Sequence, residues 1–207
     1  YYKCNQIIKA NRLIEGLIYL QISRGIAPRN HNWTDRIKPS LVISALHKDI
    51  FKNTRPVSLI TSKDIRWKYS HIKSTSLLGN VLLKQKALKQ NAFECIMYDE
   101  KGLVTEATTS NAWIIKNKKI FTPPLKKNIL AGVTRKKIFD AANALNIKSI
   151  EKELAINDFK EADCVFLTNS SSLMVKAKKI DSYKLKIDKD NVYNLIYDKL
   201  IELIRIE

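Results

Sequence analysis

The stretch Ser70-His71-Ile72-Lys73-Ser74-Thr75-Ser76-Leu77-Leu78-Gly79-Asn80 places one lysine in a polar run just before a helix-forming apolar segment. Downstream lies Val104-Thr105-Glu106-Ala107-Thr108-Thr109-Ser110-Asn111, where a single carboxylate leads into small polar residues. A lysine amine forms a Schiff base with an aldehyde, and a carboxylate keeps a pyridine nitrogen protonated. As a pair, Lys73 and Glu106 point to pyridoxal phosphate chemistry. With 37 Lys+Arg in the chain, neither residue is informative alone.

Outward from this pair, the sequence reads as many strands with a few well-spaced helices. Ser76 to Gln90 is an amphipathic helix with Ser76 as its N-cap. Strands are expected over Pro56 to Ile60 and Ile65 to Tyr69 before it. After it come strands over Phe93 to Tyr98, Leu103 to Thr105, Ala112 to Ile115 and Lys119 to Thr122. Asp99-Glu100-Lys101-Gly102 makes a hairpin turn between the first two. Thr134 to Asn146 is a helix, and Ser149 to Leu154 and Cys164 to Thr168 are strands around a short helix near Asn157 to Glu161. Leu173 to Ala177 is a strand and Asn191 to Ile204 a terminal helix. Ahead of the pair, Tyr2 to Leu13 reads as a helix, Leu17 to Arg24 and Leu41 to Leu46 as strands, and the polar run Lys48 to Thr54 as a linker. The pattern predicts a mixed α/β (α+β) protein rather than a plain βαβ repeat. No Gly-x-Gly-x-x-Gly or nucleotide phosphate loop is present.

At 207 residues and 45% hydrophobic, the chain is long and apolar enough for a packed core. It contains no apolar run of the roughly 18 residues a membrane span requires. The three cysteines, Cys4, Cys95 and Cys164, are far apart and carry no metal-ligand spacing, so a reducing cytoplasm is expected. The net charge of +17 invites a nucleic-acid reading. The lysines are scattered through almost every segment and lack the interleaved aromatics of a single-strand platform. We therefore expect no nucleic-acid partner, and take the basicity as an attraction for anionic cofactors and substrates.

Three further places can carry chemistry. Gly132-Val133-Thr134-Arg135 offers a tight turn into a helix whose first amides attract an anion, although an ordinary entry with a threonine N-cap fits the same residues. Asn169-Ser170-Ser171-Ser172 follows an apolar strand and suits either a phosphate or a plain turn. Arg66 sits seven positions before Lys73 and faces the other way in an unbroken strand, so a bend is needed for it to reach a phosphate. Arg29 and His31 flank one residue on an extended loop stiffened by Pro28. They form a candidate clamp for a substrate carboxylate, or a solvated loop.

With those segments in hand, the chain resembles the fold-type-IV pyridoxal phosphate enzymes, and most closely their D-amino-acid aminotransferase branch. The resemblance rests on Ser23-Arg24-Gly25-Ile26-Ala27-Pro28-Arg29-Asn30-His31, on Ile72-Lys73-Ser74 with Leu77-Leu78-Gly79-Asn80, on Thr105 to Asn111, and on Ile129-Leu130-Ala131-Gly132-Val133-Thr134-Arg135. It implies that Lys73 is the Schiff-base lysine and the acid/base at the substrate Cα, and that Glu106 pairs with the ring nitrogen. It implies that Arg66, the Val133 and Thr134 amides, and Ser170 hold the phosphate, with Leu130 packed on one face of the ring. Arg29 and His31 then grip the substrate carboxylate across a homodimer interface. The implied reaction is transamination between D-alanine or D-glutamate and the 2-oxo acids pyruvate and 2-oxoglutarate. Within the class, a branched-chain L-amino-acid aminotransferase is the next reading and an aminodeoxychorismate lyase the third; the Arg29-x-His31 pair favours the D-specific branch. A basic binding module that has lost catalysis is the reading from another class.

This sequence departs from the family at Ala107 and Thr108-Thr109, where relatives carry glycine and serines. Relatives also carry several dozen more N-terminal residues, including a phosphate-binding arginine and a pocket tyrosine. The expected architecture is therefore two-domain with a truncated small domain, residues 1–48, followed by a large cofactor-binding domain, residues 49–207. The chain alone is expected to be poorly active.

Overall fold

Alternating apolar residues set the first of two units, Tyr1–Lys52. Helix α1 (Tyr2–Ala10) precedes an antiparallel pair, β1 (Gly16–Ser23) and β2 (Ser40–His47), in register from Gly16 opposite His47 to Ser23 opposite Ser40. Gly25, with φ of +120°, opens the connecting loop, and a Cβ there would lie 2.0 Å from the Lys38 carbonyl oxygen, so only glycine fits. None of this unit's described residues is buried. A two-stranded ribbon gains little from a core of its own.

The computed structural model describes residues 1–32, 36–51, 55–186 and 190–206. The second unit, Asn53–Glu207, holds the core. Strand β3 (Val57–Lys63) runs parallel to β4 (Glu94–Tyr98) through a crossover carrying helix α2 (Leu78–Lys89). Then follow β5 (Val104–Ala107), β6 (Asn111–Lys116) and β7 (Lys119–Thr122). Helix α3 (Val133–Ala144) leads to β8 (Ser149–Glu151), parallel to β7. The remainder is α4 (Ile156–Glu161), β9 (Cys164–Asn169), β10 (Leu173–Ile180), β11 (Tyr183–Lys184) and α5 (Val192–Ile206). The strand order is β5-β4-β3-β10-β9-β6-β7-β8, with β11 on β10. The two ends meet: the Val104 amide donates to the Leu154 carbonyl at 2.7 Å, and Leu103 bridges to Ala155. The sheet is thus curled nearly closed.

The period of two sorts each strand onto two faces. Ile96, Ile114, Val165 and Leu167 fill one core with Leu154 and Phe159. Cys95 and Met97, their neighbours on β4, point the other way, into a cluster with Leu83 and Ala87 of α2. Trp113 stacks on Phe166 and meets Phe139 of α3 edge-on, while its Nε1 donates to Thr168 Oγ1 at 3.0 Å. Among the described residues, no helix is long and apolar enough to cross a membrane.

Several local expectations change. Residues 65–69 are not a strand; the backbone turns there. Asp64 Oδ1 accepts from the Arg66 amide at 3.0 Å, an Asx-type turn that ends β3 and swings Arg66 inward. Helix α2 is capped at Leu77, with no side-chain cap, so Ser76 does not serve as the N-cap. The apolar face of α2 is only partly core, since Leu78, Val81 and Leu82 are each more than half exposed. The tip of the expected 48–54 linker, residues 52–54, lies outside the described residues.

Candidate active site

Glu106 stands near the end of β5 and is 5% exposed. Its Oε1 pairs with Arg66 Nη1, its Oε2 accepts from Asn111 Nδ2 at 3.1 Å, and the Leu130 amide lies 3.3 Å from Oε2. Arg66 is held in turn: Nε donates to Asp64 Oδ1 at 3.0 Å, Nη2 to Asp64 Oδ2 at 2.7 Å and to the Asn128 carbonyl at 2.8 Å. Thr105 Oγ1 also donates to Asp64, at 2.8 Å. This is a buried triad of two carboxylates and one guanidinium, with its hydrogen-bonding capacity largely used. Gly79 allows it. A Cβ there would sit 3.1 Å from the Arg66 backbone, so the first turn of α2 lies directly on Arg66.

The triad does not share its charge evenly. Burial pushes the Glu106 carboxyl up to about 7; Arg66 and the Leu130 amide oppose that rise and Asp64 adds to it. Burial would also raise Asp64, but its hydrogen bonds from the Arg66 side chain and amide and the adjacent positive charge hold it below the ordinary carboxylate value. Burial would lower Arg66, and the two carboxylates outweigh it, so the guanidinium stays charged. Asp64 is thus the standing partner of Arg66, and Glu106 is the carboxyl free to exchange a proton near neutrality.

Lys73 lies in the irregular segment ahead of α2, is exposed, and makes no hydrogen bond or ion pair with a described residue. The segment is tied down next to it: the His71 amide and Nδ1 both bond the Lys127 carbonyl, at 3.2 and 2.7 Å. Residues 127–130 thus contact both the lysine segment and the triad.

The start of α3 completes the arrangement. Its N-cap is Gly132, with extended backbone and no side-chain cap, and no acidic residue occupies the first turn. Thr134 is therefore the second helical residue, 6% exposed, and not the cap; the Val133 and Thr134 amides are at the open helix end. A Cβ on Gly132 would lie 2.3 Å from Asn111 Oδ1, and Asn111 Nδ2 also donates to the Leu130 carbonyl at 2.9 Å. Ser170 sits in the β9–β10 turn, which Asn169 links to Ser110 by an Nδ2–Oγ bond of 2.9 Å. The segments holding Glu106, Leu130, Thr134 and Ser170 are thereby joined through Asn111 and Ser110. Arg66 has partners other than those expected for a phosphate ligand, because both carboxylates take its guanidinium. Arg29 and His31 are exposed, on the loop after β1 in the first unit.

The sequence profile of amino-transferase class IV matches residues 3–180. The chain belongs to the class IV aminotransferase family. It is 39% identical over 181 residues to a D-alanine aminotransferase from Staphylococcus epidermidis, covering 85% of this chain and 63% of that protein. A D-alanine aminotransferase from Bacillus licheniformis is 35% identical over 178 residues, covering 85% of this chain and 62% of that protein. The chain thus spans less than two thirds of these relatives' length. Its fold matches the branched-chain aminotransferase from Thermoproteus uzoniensis with a TM-score of 0.87 at 20% identity, over 98% of this chain and 69% of that one. The curled mixed sheet is the fold-type-IV architecture, and pyridoxal phosphate is the family's cofactor. The residues present fit that group: a carboxyl in a cluster with an excess of negative charge faces the demand of a protonated pyridine, and an uncapped helix end faces that of a phosphate.

Sequence reasoning passed over Asp64, Asn111 and Glu94. Asp64 had a local signal, an acid two residues before an arginine at the end of an apolar run. Glu94 had another, an acid inside an otherwise apolar strand; it is fully buried.

Proposed function

We propose that this chain carries the cofactor-binding part of a pyridoxal-phosphate-dependent D-amino-acid aminotransferase. The amino group would pass from D-alanine to 2-oxoglutarate, giving pyruvate and D-glutamate. The observation that carries the reading is Glu106: a buried carboxyl with a value near 7, pinned by Arg66, Asn111 and the Leu130 amide beside an uncapped helix end. When bound, the cofactor supplies an aldehyde to carry the amino group and a ring to accept electrons from the substrate Cα. Glu106 holds a proton at the ring nitrogen. The Val133 and Thr134 amides and Ser170 hold the phosphate, and Leu130 packs on the ring. Arg66 fixes Glu106 instead of holding the phosphate. Lys73 is the attachment point and moves the proton at the substrate Cα. Arg29 and His31 grip the substrate carboxylate.

A homodimer belongs to this reading. Leu78, Val81 and Leu82 on one face of α2, with Ile65 and Trp67, leave apolar side chains exposed around an open hollow of about 290 Å³. A second copy is the occupant we assign. The cytoplasm is the proposed setting, consistent with three free cysteines.

Two measurements test the reading. Borohydride reduction in the presence of pyridoxal phosphate should fix the cofactor to Lys73, read by peptide mass. A panel of D- and L-amino acids, run on unreduced full-length protein, should show D-alanine and D-glutamate preferred. Absence of label on Lys73 refutes the cofactor site, and preference for branched-chain L-amino acids refutes the substrate class.

A further inference from the structure

Glu94 is fully buried at the start of β4 and makes no hydrogen bond or ion pair with the triad around Glu106. Its carboxylate instead takes four donors from one short loop. Oε1 accepts from Thr108 Oγ1 at 3.0 Å, from Thr109 Oγ1 at 2.8 Å and from the Thr109 amide; Oε2 accepts from Ser110 Oγ at 2.9 Å. A buried carboxylate is acceptor-only, and donors from the loop meet both of its oxygens. The loop is the one that follows Glu106.

The same loop is tied at two other points. Asn80, in the first turn of α2 beyond Lys73, donates from Nδ2 to the Thr108 carbonyl at 2.7 Å. Asn169 Nδ2 donates to Ser110 Oγ at 2.9 Å. The far end of that asparagine shapes the Ser170 turn: Oδ1 accepts from the Ser171 amide at 3.0 Å, from Ser171 Oγ at 3.0 Å and from the Ser172 amide at 2.8 Å. The turn closes on Leu173 with φ of 53°, a left-handed conformation a leucine adopts only when its surroundings impose it.

We propose that Glu94 is a positioning residue that sets the conformation of the Ser170 turn through Ser110 and Asn169. The carboxylate orients the Ser110 hydroxyl, which donates to Glu94 and so presents its lone pairs to Asn169. Asn169 is thereby fixed with Oδ1 toward the turn amides. The order of the relay is Glu94, Ser110, Asn169, then the amides of Ser171 and Ser172. This rests on the proposed role of the Ser170 turn as a phosphate ligand, and it adds a cause for that turn's shape that lies outside the contact residues.

The test uses the cofactor-free chain first. Ser110→Ala cuts the relay and leaves the buried carboxylate with its three threonine donors. Amide hydrogen exchange is followed by NMR at Ser171 and Ser172, with Ile114 and Ile115 of β6 as internal controls. Loss of one hydrogen bond's net worth predicts about fivefold faster exchange at the two serines. The controls should be unchanged. Ser110→Thr, which retains the hydroxyl, should restore the wild-type rates. Unchanged exchange in Ser110→Ala, or equal acceleration at the β6 controls, overturns the relay. The second readout is the ratio of dissociation constants for pyridoxal and pyridoxal phosphate, measured by absorbance titration; a turn that holds the phosphate should lose about fivefold in this ratio on Ser110→Ala. A wild-type chain with no preference for the phosphorylated form refutes the phosphate site of the proposed function, whereas an intact preference in Ser110→Ala refutes the positioning role.

Discussion

Replacing Glu106 by glutamine should abolish a pH dependence that the folded chain builds into itself. Burial raises this carboxyl from its ordinary 4.5 to about 7 in the cofactor-free protein. A carboxyl with a raised value binds its proton more tightly in the native than in the unfolded chain. Its contribution therefore favours the fold at low pH and is lost as pH rises from about 4.5 to about 7. At about 1.4 kcal/mol for each tenfold change, the full span is worth about 3 kcal/mol. Asp64 is lowered below its ordinary 3.8 and titrates beneath this window. Glutamine keeps the shape of Glu106 but not the titration. The ion pair with Arg66 exists only in the ionised form, and its pull is already contained in the value near 7. Urea unfolding of the cofactor-free wild type and of Glu106→Gln at pH 5, 6, 7 and 8 measures the difference directly. Between pH 5 and pH 8, which leaves out the lowest part of the span, the wild type should lose about 2.5 kcal/mol relative to the variant. A difference that stays flat across the range would show that Glu106 is ionised throughout and that Arg66 fully offsets its burial.

Further expectations follow from the same geometry. Gly132→Ala has an allowed backbone, with φ of −66°, but its Cβ would displace the Asn111 amide from Glu106 and Leu130; it should cost about 1–3 kcal/mol in urea unfolding, and Gly132→Ala with Asn111→Ala should be no less stable than Asn111→Ala alone. Lys73→Ala should leave no cofactor fixed after borohydride, read by intact mass, with a melting temperature close to wild type because the side chain is exposed and bonds no described residue. Leu78→Asp with Leu82→Asp should shift sedimentation from the dimer toward the monomer; an unchanged dimer would place the second copy elsewhere.

The parts of this site that were legible in sequence are those where one residue type is needed for one task. Glu106 and Gly132 stand in short motifs whose chemistry or sterics admit few substitutes, and periodicity placed most of the strands around them. Arg66 was legible as a charged residue but not as a partner of Glu106. Strand alternation assumes that the backbone continues, and here it stops because Asp64 takes the Arg66 amide and guanidinium together. The helix after Lys73 shows the opposite difficulty. Its apolar spacing is real, yet spacing cannot tell a face that meets the core from one that meets a partner, and only Leu83 and Ala87 of α2 are buried. Glu94 carried the signal of an acid inside an apolar strand, but its role was not legible because its four donors come from a loop that lies 14 to 16 positions on in the chain.

Charge at the site runs against charge in the molecule. The chain as a whole carries +17, which on a count alone suggests an anionic polymer as its partner. The buried cluster of Asp64, Arg66 and Glu106 carries −1 when both carboxyls are ionised, and neither carboxylate can be swept by solvent counter-ions because the side chains are 10% exposed or less. The protein meets that excess by letting Glu106 hold a proton near neutrality. A protonated ring nitrogen brought against Glu106 would supply the missing positive charge and return the carboxyl to its ionised form. Cofactor binding and Glu106 ionisation are then one equilibrium: loading should release a proton near pH 7, measurable in calorimetric titrations repeated in buffers of different ionisation enthalpy. Loading of Glu106→Gln should release none from this position. Equal proton release from the two proteins would mean that Glu106 is not the partner of the ring.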